Sequence, residues 1–273
     1  MTGAAGQLGR AIVTRFGRAH DVLAATRAEL DVTRHADVQR VAAAWRPDAI
    51  VNCAAYNAVD RAEDEAAAAL AGNALAVRSL ARAAMDAGCV LVHYSTDFVF
   101  DGTAREPYDE AAAPAPLSVY GQSKLLGEWF ALDAPRHYVL RVASLFGGEP
   151  RHGSLDRIAD ALRQGRRPRV FTDRIVSPAF VEDVADATER ILLAAVPSGV
   201  YHCVNSGHAS WHEVAIEIAR VLGVDPVLDP VAARDVPFTA PRPRYCALSN
   251  ARLRAAGIAL PSWQDAVQRG LRP

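Results

Sequence analysis

A chain of 273 residues, 51% of them hydrophobic, holds enough apolar material for one large domain or two modest ones. Thirty basic side chains against 31 acidic ones leave a formal net charge of −1, so no bulk field exists to hold a nucleic acid or an anionic membrane. No run of about 18 uncharged apolar residues occurs, and no apolar block follows Arg10, Arg15 and Arg18, so neither a membrane span nor a signal peptide is expected and the cytoplasm is the expected location.

The first element is a loop. "MTGAAGQLGR" repeats glycine at Gly3, Gly6 and Gly9 and runs into Leu8, Ile12, Val13 and Phe16, one apolar helix face. Glycines at such a turn let backbone approach a pyrophosphate, whose charge rests on the free N–H groups of a helix N-terminus. The device needs a strand feeding into it, and only Met1 and Thr2 precede the loop. In the 3-2-1-4-5-6 order of a doubly wound sheet that strand is central. An empty slot there would hold its neighbours about 10 Å apart with backbone groups unpaired on both sides. The expectation is therefore a natural start about five to six apolar residues earlier, and a 273-residue form that is weakly stable and slow to bind dinucleotide.

Further along, strand-like and helix-like runs alternate: strand 22–25 and helix 36–45, strand 49–53 and helix 60–87, strand 90–94 and helix 119–132, then strand 138–142. This rhythm predicts an α/β fold, a doubly wound parallel sheet with helices on both faces. After Ser144 glycine and proline multiply, a helix over 155–164 follows, and the basic "RQGRRPR" leads to a short strand at 170–171. A helix over 181–195 and a strand over 199–202 repeat the first sheet's period, so the two lobes interleave. The expected division is 1–146 plus about 178–203 for the sheet domain, and about 147–177 plus 204–273 for a smaller α/β lobe ending in a loop and two short helices.

Cys53, Cys89, Cys203 and Cys246 are scattered, the first three in or beside apolar runs, so neither a disulfide nor a cysteine metal site is expected. His208 and His212 could share a helix face, but without a third ligand nearby they read as a polar helix start.

Of the 30 basic residues, Lys124 is the only lysine. "SVYGQSKLLGEW" sets Tyr120 four residues before it, on one face of a helix with Ser118 as N-cap. With 7 tyrosines in 273 residues, chance would place that lysine four after a tyrosine about once in forty (7/273). A phenol has a pKa of about 10, and a nearby ammonium favours the phenolate, bringing the group toward proton transfer at neutral pH. A solvated helix face is the plain alternative. The strand "VLVHYSTDFVF" ends in Ser95, Thr96 and Asp97, where open α/β sheets bind ligands, beyond the carboxyl ends of their strands. "DVLAATR" ends in Thr26 and Arg27 instead of the carboxylate that would bind an NAD ribose; Arg27 there suits the 2′-phosphate of NADP, or is a surface arginine.

The glycine loop, Thr96 and the Tyr120/Lys124 pair occur in the order of the extended short-chain dehydrogenase/reductases. "VNCAAYNAVDRAEDE", "HYSTDFVFDG", "VYGQSKLLGE", "YHCVNSGHASWHEVA" and "RPRYCALSN" make the chain resemble the dTDP-4-dehydrorhamnose reductase family over almost its whole length. The resemblance implies a Rossmann-like fold whose first strand is truncated here. It implies NADPH, with NADH the alternative, along Gly3, Gly6, Gln7, Leu8, Gly9, Arg27, Asp31, Val32, Ala54, Ala55, Tyr56, Asn73, Tyr120 and Lys124. A dTDP-linked 4-keto-6-deoxy sugar would enter from the small lobe, against Val59, Thr96, Asp97, Phe98, Leu145 and Arg242. Hydride would pass to the sugar C4 carbonyl while Tyr120 donates a proton, Thr96 hydrogen-bonds the carbonyl oxygen, and Lys124 holds the ribose and lowers the Tyr120 pKa. No nucleic acid, membrane or metal partner is implied, and a homodimer is compatible with the family.

Four positions depart from the family pattern: Phe98 where a tyrosine follows Thr-Asp, Leu145 for a tryptophan, Asn57 for a threonine and Val176 for a glycine. They leave the hydride machinery untouched and open the alternative of another nucleotide-linked 4-keto deoxysugar. A dehydratase would place a glutamate at 98 and ranks low. A non-catalytic dinucleotide-binding subunit is the competing class.

Overall fold

The computed structural model describes residues 1–271. Its main sheet is parallel, with β1 (Ala49–Asn52), β2 (Val90–Thr96), β3 (His137–Val142) and the strand Gly199–His202 paired in that order. Beyond Val90 every residue of β2 is buried, as expected of a strand covered on both faces. Among the described residues the α-helices are α1 (Gln7–Phe16), α2 (His35–Trp45), α3 (Ala66–Leu70), α4 (Ala76–Ala87), α5 (Val119–Ala131), α6 (Ser154–Arg163), α7 (Val181–Ala194), α8 (Trp211–Leu222), α9 (Ala251–Ala255) and α10 (Trp263–Gly270).

Strand side chains alternate between two apolar layers. Val51, Val92 and Leu140 face a cluster holding Leu8 and Ile12 of α1 and Val184 of α7. Ile50, Leu91 and Val139 face the other way, onto Val38 of α2 and Val77 and Leu80 of α4. A third cluster gathers Leu155 and Ile158 of α6, Val214 and Ile218 of α8, and Trp263 and Val267 of α10 around Phe146 and Val170. This last cluster belongs to the segments in which the sequence rhythm breaks.

The central position of the sheet is held by two residues. Thr2 bridges Ala25 on one side and Asn52 on the other, both in parallel. Its N–H donates to the Val51 carbonyl at 3.0 Å, its own carbonyl takes the Cys53 N–H at 3.1 Å, and Ala25 N–H donates to Met1 O at 2.9 Å. Below this short plug lies a cavity of about 810 Å³ whose lining includes Met1, Phe16, Val22, Leu23, Val51, Val90 and Leu192. The slot is thus closed at the end carrying the glycine loop and open below it.

Two expected elements are shortened. The strand expected over 22–25 is reduced to the isolated Thr2–Ala25 bridge. A strand needs a neighbour to pair with, and among the described residues positions 22–24 have only Met1, whose terminal ammonium donates to Leu23 O at 2.6 Å. The helix expected over 60–87 starts at Ala66 and passes through a π-helical turn, Ala71–Leu75, into α4. Residues before it serve other segments: Asp60 accepts from Ala240 N–H and Arg242, Glu63 from Val119 N–H, and Glu65 from the Tyr56 hydroxyl. The helix over 119–132, the strand over 199–202 paired to β3, and the two short C-terminal helices form where the periodicity puts them.

Candidate active site

Three chain segments meet at the carboxyl ends of the strands. The glycine loop is the first. Gly3 has φ +72°, and a Cβ on it would stand 2.5 Å from Ala54 N, so this turn admits no side chain. Gly6 caps α1 with no side-chain hydrogen bond, leaving the first-turn N–H groups to an anion. Gln7 ties the loop across the cleft, its amide donating to Gly147 O at 2.7 Å and to Asp156 at 3.2 Å.

The second segment is the end of β2. Thr96 Oγ1 accepts from Phe98 N–H at 3.2 Å and donates to the Asp97 carboxylate at 3.0 Å, so its proton points at Asp97 in this structure. Asp97 is buried, and burial pushes its carboxyl up to about 6 against the opposing pull of the Thr96 hydroxyl.

The third is α5. Ser118 caps it by accepting from Gly121 N–H at 3.2 Å. A Cβ at Gly121 would lie 2.3 Å from Phe98 O, so glycine brings the helix start against the β2 loop and sets Tyr120 beside Thr96. The Phe98 ring meets Tyr120 edge-on with centroids 5.9 Å apart. Lys124 is buried, donates to Tyr94 O at 2.5 Å, and is lowered by burial to about 8 while Glu128 pulls it up. Burial drives the Tyr120 phenol up to about 12, opposed by the Thr96 hydroxyl and reinforced by Asp97.

These groups line a cleft of about 980 Å³. Gly6, Gln7, Leu8, Gly9, Ala54, Ala55, Tyr120 and Lys124 share it with Val59, Thr96, Asp97, Phe98, Leu145 and Arg242, and the four departures Asn57, Phe98, Leu145 and Val176 all lie on its wall. Gly3 lies behind it. Tyr56 and Asn73 do not reach it: Asn73 is buried and uses its amide on the Tyr56 backbone at 2.8 and 3.0 Å and on Ser123 at 3.0 Å, while the Tyr56 hydroxyl donates to Glu65. Arg27, Asp31 and Val32 follow the Ala25 bridge, also outside the cleft. Arg27 is 89% exposed at its side chain and 3.8 Å from Asp31, whose carboxylate is held below its usual range chiefly by the Thr33 hydroxyl and N–H.

The RmlD substrate binding domain model matches residues 1–273. The chain belongs to this family, that of the dTDP-4-dehydrorhamnose reductases. It is 42% identical to a Streptomyces antibioticus protein named "Probable dTDP-4,6-dihydroxy-2-methyloxan-3-one 4-ketoreductase", over 98% of this chain and 92% of that one. Similarity to the dTDP-4-dehydrorhamnose reductase of Streptomyces griseus is 37% over 98% and 90% of the two chains. The crystal structure of the Bacillus anthracis dTDP-4-dehydrorhamnose reductase in complex with NADP superposes with a TM-score of 0.93 at 33% identity, covering 98% of this chain and 96% of that one.

The sequence motifs single out Lys124, Asp97 and Arg242 but not the other arginines of the cleft. Arg157, Arg166, Arg167, Arg169, Arg174, Arg242 and Lys124 line it against the single carboxylate of Asp97. A chain with net charge −1 thereby concentrates seven cations at one opening. The signal was present in "RQGRRPR", where spacing alone marks only a lobe boundary; the fold turns Arg166, Arg167 and Arg169 onto the cleft wall, while Arg163 pairs with Asp160.

Proposed function

We propose that this protein uses NADPH to reduce the C4 ketone of a dTDP-linked 4-keto-6-deoxy sugar, with dTDP-4-dehydrorhamnose to dTDP-rhamnose as the leading case and NADH as the alternative reductant. The observation that carries this reading is the Tyr120–Lys124 pair on α5 facing Thr96 in a cleft lined by arginines. The glycine cradle and the uncapped start of α1 fit a dinucleotide pyrophosphate, with Gly3, Gly6, Gln7, Leu8 and Gly9 holding it. When bound, NADPH supplies the hydride. Tyr120, a phenol at neutral pH, donates its proton to the oxygen that becomes basic as the ketone is reduced. Thr96 turns from Asp97 to hydrogen-bond that oxygen, and Lys124 anchors the ribose. Val59, Asp97, Phe98 and Leu145 line the sugar pocket, and Arg242 meets the nucleotide end. In this reading residues 1–146 plus about 178–203 bind the dinucleotide and the remainder binds the nucleotide sugar. A cytoplasmic homodimer completes the proposal; Trp129 and Leu132 around the end of α5, 58% and 42% exposed, support association.

A second substrate reading, another nucleotide-linked 4-keto deoxysugar, is favoured by the apolar Phe98, Leu145 and Val176 on the cleft wall. NADPH oxidation with a panel of dTDP-linked 4-keto sugars tests both, the preferred substrate being the one with the highest kcat/KM. Binding of cofactor with turnover on none would point to a non-catalytic subunit.

Arg27 makes a separate expectation. A charge-assisted pair to the 2′-phosphate contributes about 1.5–3 kcal/mol, and an exposed one falls at the lower end. Arg27→Ala is expected to cut the NADPH-over-NADH affinity ratio about tenfold. An unchanged ratio in fluorescence titrations makes Arg27 a surface residue.

A further inference from the structure

Glu128 ends the segment "VYGQSKLLGE", four residues after Lys124 and so on the same face of α5. It is only 2% exposed, at a depth where an unpaired charge would be costly. Hydrogen bonds from two strands meet its carboxylate. The Ser95 hydroxyl of β2 donates to Oε1, and the Arg141 guanidinium of β3 grips both oxygens, Nε to Oε1 at 2.8 Å and Nη2 to Oε2 at 2.7 Å. Arg141 is fixed in turn. It lies over the Phe100 ring, 5.0 Å from the centroid, and its Nη1 donates to His202 Nε2 at 3.4 Å while His202 Nδ1 donates to Tyr108 O at 3.1 Å.

Ser95 stands between two residues of β2 that serve the site. Tyr94 before it offers the carbonyl that takes the Lys124 ammonium, and Thr96 after it reaches Tyr120. One turn of α5 is therefore hooked to successive strand residues, Lys124 to Tyr94 and Glu128 to Ser95, and through Arg141 to the next strand. A buried ion pair adds little stability over apolar side chains of similar volume, so the contribution of this one is geometry and charge.

The other groups around Lys124 are held neutral or engaged elsewhere. Burial keeps Cys53 and Tyr120 protonated, each pushed up to about 12, raises Tyr94 as well, and holds the His93 imidazole neutral. The Asp97 carboxylate accepts from the Thr96 hydroxyl. On α4, which packs against α5, Arg78 lies over the Phe130 ring, and the π-helical turn gives the neutral Asn73 to Ser123. Burial lowers the Lys124 ammonium to about 8, and Glu128, ahead of Cys53, is the foremost group opposing it.

We propose that Glu128 is a positioning residue for Lys124: clamped by Ser95 and Arg141, it fixes the turn of α5 that carries the ammonium against the end of β2 and supplies its counter-charge. The reductase reading enters only through what the ammonium then holds, the cofactor ribose.

Lys124 is the only lysine of the chain, so the whole protein labelled isotopically at lysine Cε gives a single side-chain signal whose titration is read directly by NMR. The expected midpoint in the parent protein is about 8. Glu128→Gln, which keeps the shape and loses the charge, is expected to lower that midpoint by about one pH unit. Arg141 is then left buried without its carboxylate. Should that variant fail to fold by circular dichroism, Glu128→Gln combined with Arg141→Gln removes both charges; its midpoint is expected to fall in the same direction but by less, since repulsion from Arg141 goes too. A merely structural Glu128 would lower the melting temperature and leave the midpoint in place. A midpoint unchanged or raised in the folded variant overturns the proposal. NADPH titrations of the same proteins over about pH 6–9 separate this coupling from the role of Lys124. With Lys124 as ribose anchor, the pH at which affinity falls away moves down with the midpoint, because the ammonium is charged only below it. A midpoint that moves while NADPH affinity does not would keep Glu128 as the partner of Lys124 and remove Lys124 from the cofactor site.

Discussion

Replacing Tyr120 by phenylalanine is expected to lower kcat about 10²–10⁴-fold, the usual worth of a positioned general acid, while NADPH binding changes less than twofold. The substitution removes one oxygen from a half-buried side chain and keeps the ring that meets Phe98 edge-on, so packing survives. Lys124→Ala differs in kind. The Lys124 ammonium is tied to the Tyr94 carbonyl inside the cleft, so its loss is expected to weaken cofactor binding and turnover together. Stopped-flow NADPH oxidation and a separate fluorescence titration distinguish the two patterns. Near-parent turnover by Tyr120→Phe on the preferred substrate would remove the proposed proton donor.

The second large effect concerns the sheet. Adding six apolar residues ahead of Met1 is expected to raise the melting temperature by about 10 °C. The cavity of about 810 Å³ beneath Thr2 is lined by Val22, Leu23, Val51 and Val90 among others, and among the described residues the backbone at 22–24 has only Met1 as a hydrogen-bond partner. Burying about five side chains gives roughly 1.5–3 kcal/mol each, ordering their backbone costs about 1–2 kcal/mol per residue, and each ladder hydrogen bond returns about 1 kcal/mol. A net of a few kcal/mol at about 2–4 °C each accounts for the shift. A Gly-Ser extension of equal length fills nothing and is the control. If the two extensions melt at the same temperature as the 273-residue chain, the cavity is not a strand site.

Much of the site is readable before folding because its chemistry is local. Ser118, Tyr120 and Lys124 lie within seven positions of one helix, and a helix converts that spacing into a common face without reference to the rest of the chain. Thr96 and Asp97 end an apolar run that is unmistakably a strand, and parallel sheets bind ligands at that end. The glycine spacing at 3, 6 and 9 marks the loop for the same reason.

Other features depended on neighbours far along the chain. Asn73 lies close in sequence to nothing it serves, and only the packed fold spends its amide on Tyr56 and Ser123 instead of a ligand. Burial, a property of the whole tertiary environment, moves both Tyr120 and Lys124 away from their ordinary values. The strand expected at 22–25 failed because a strand's hydrogen bonds belong to its partner. By itself, then, the sequence determined the alternation that builds a parallel sheet, the turn chemistry of the loop and the helix face that carries Tyr120 and Lys124, since each depends on contacts within a few residues. Only the tertiary structure decided which arginines of an arginine-rich chain converge on the cleft, because electrostatic and packing interactions between residues 60, 97, 174, 238 and 242 exist only once the chain has brought them together.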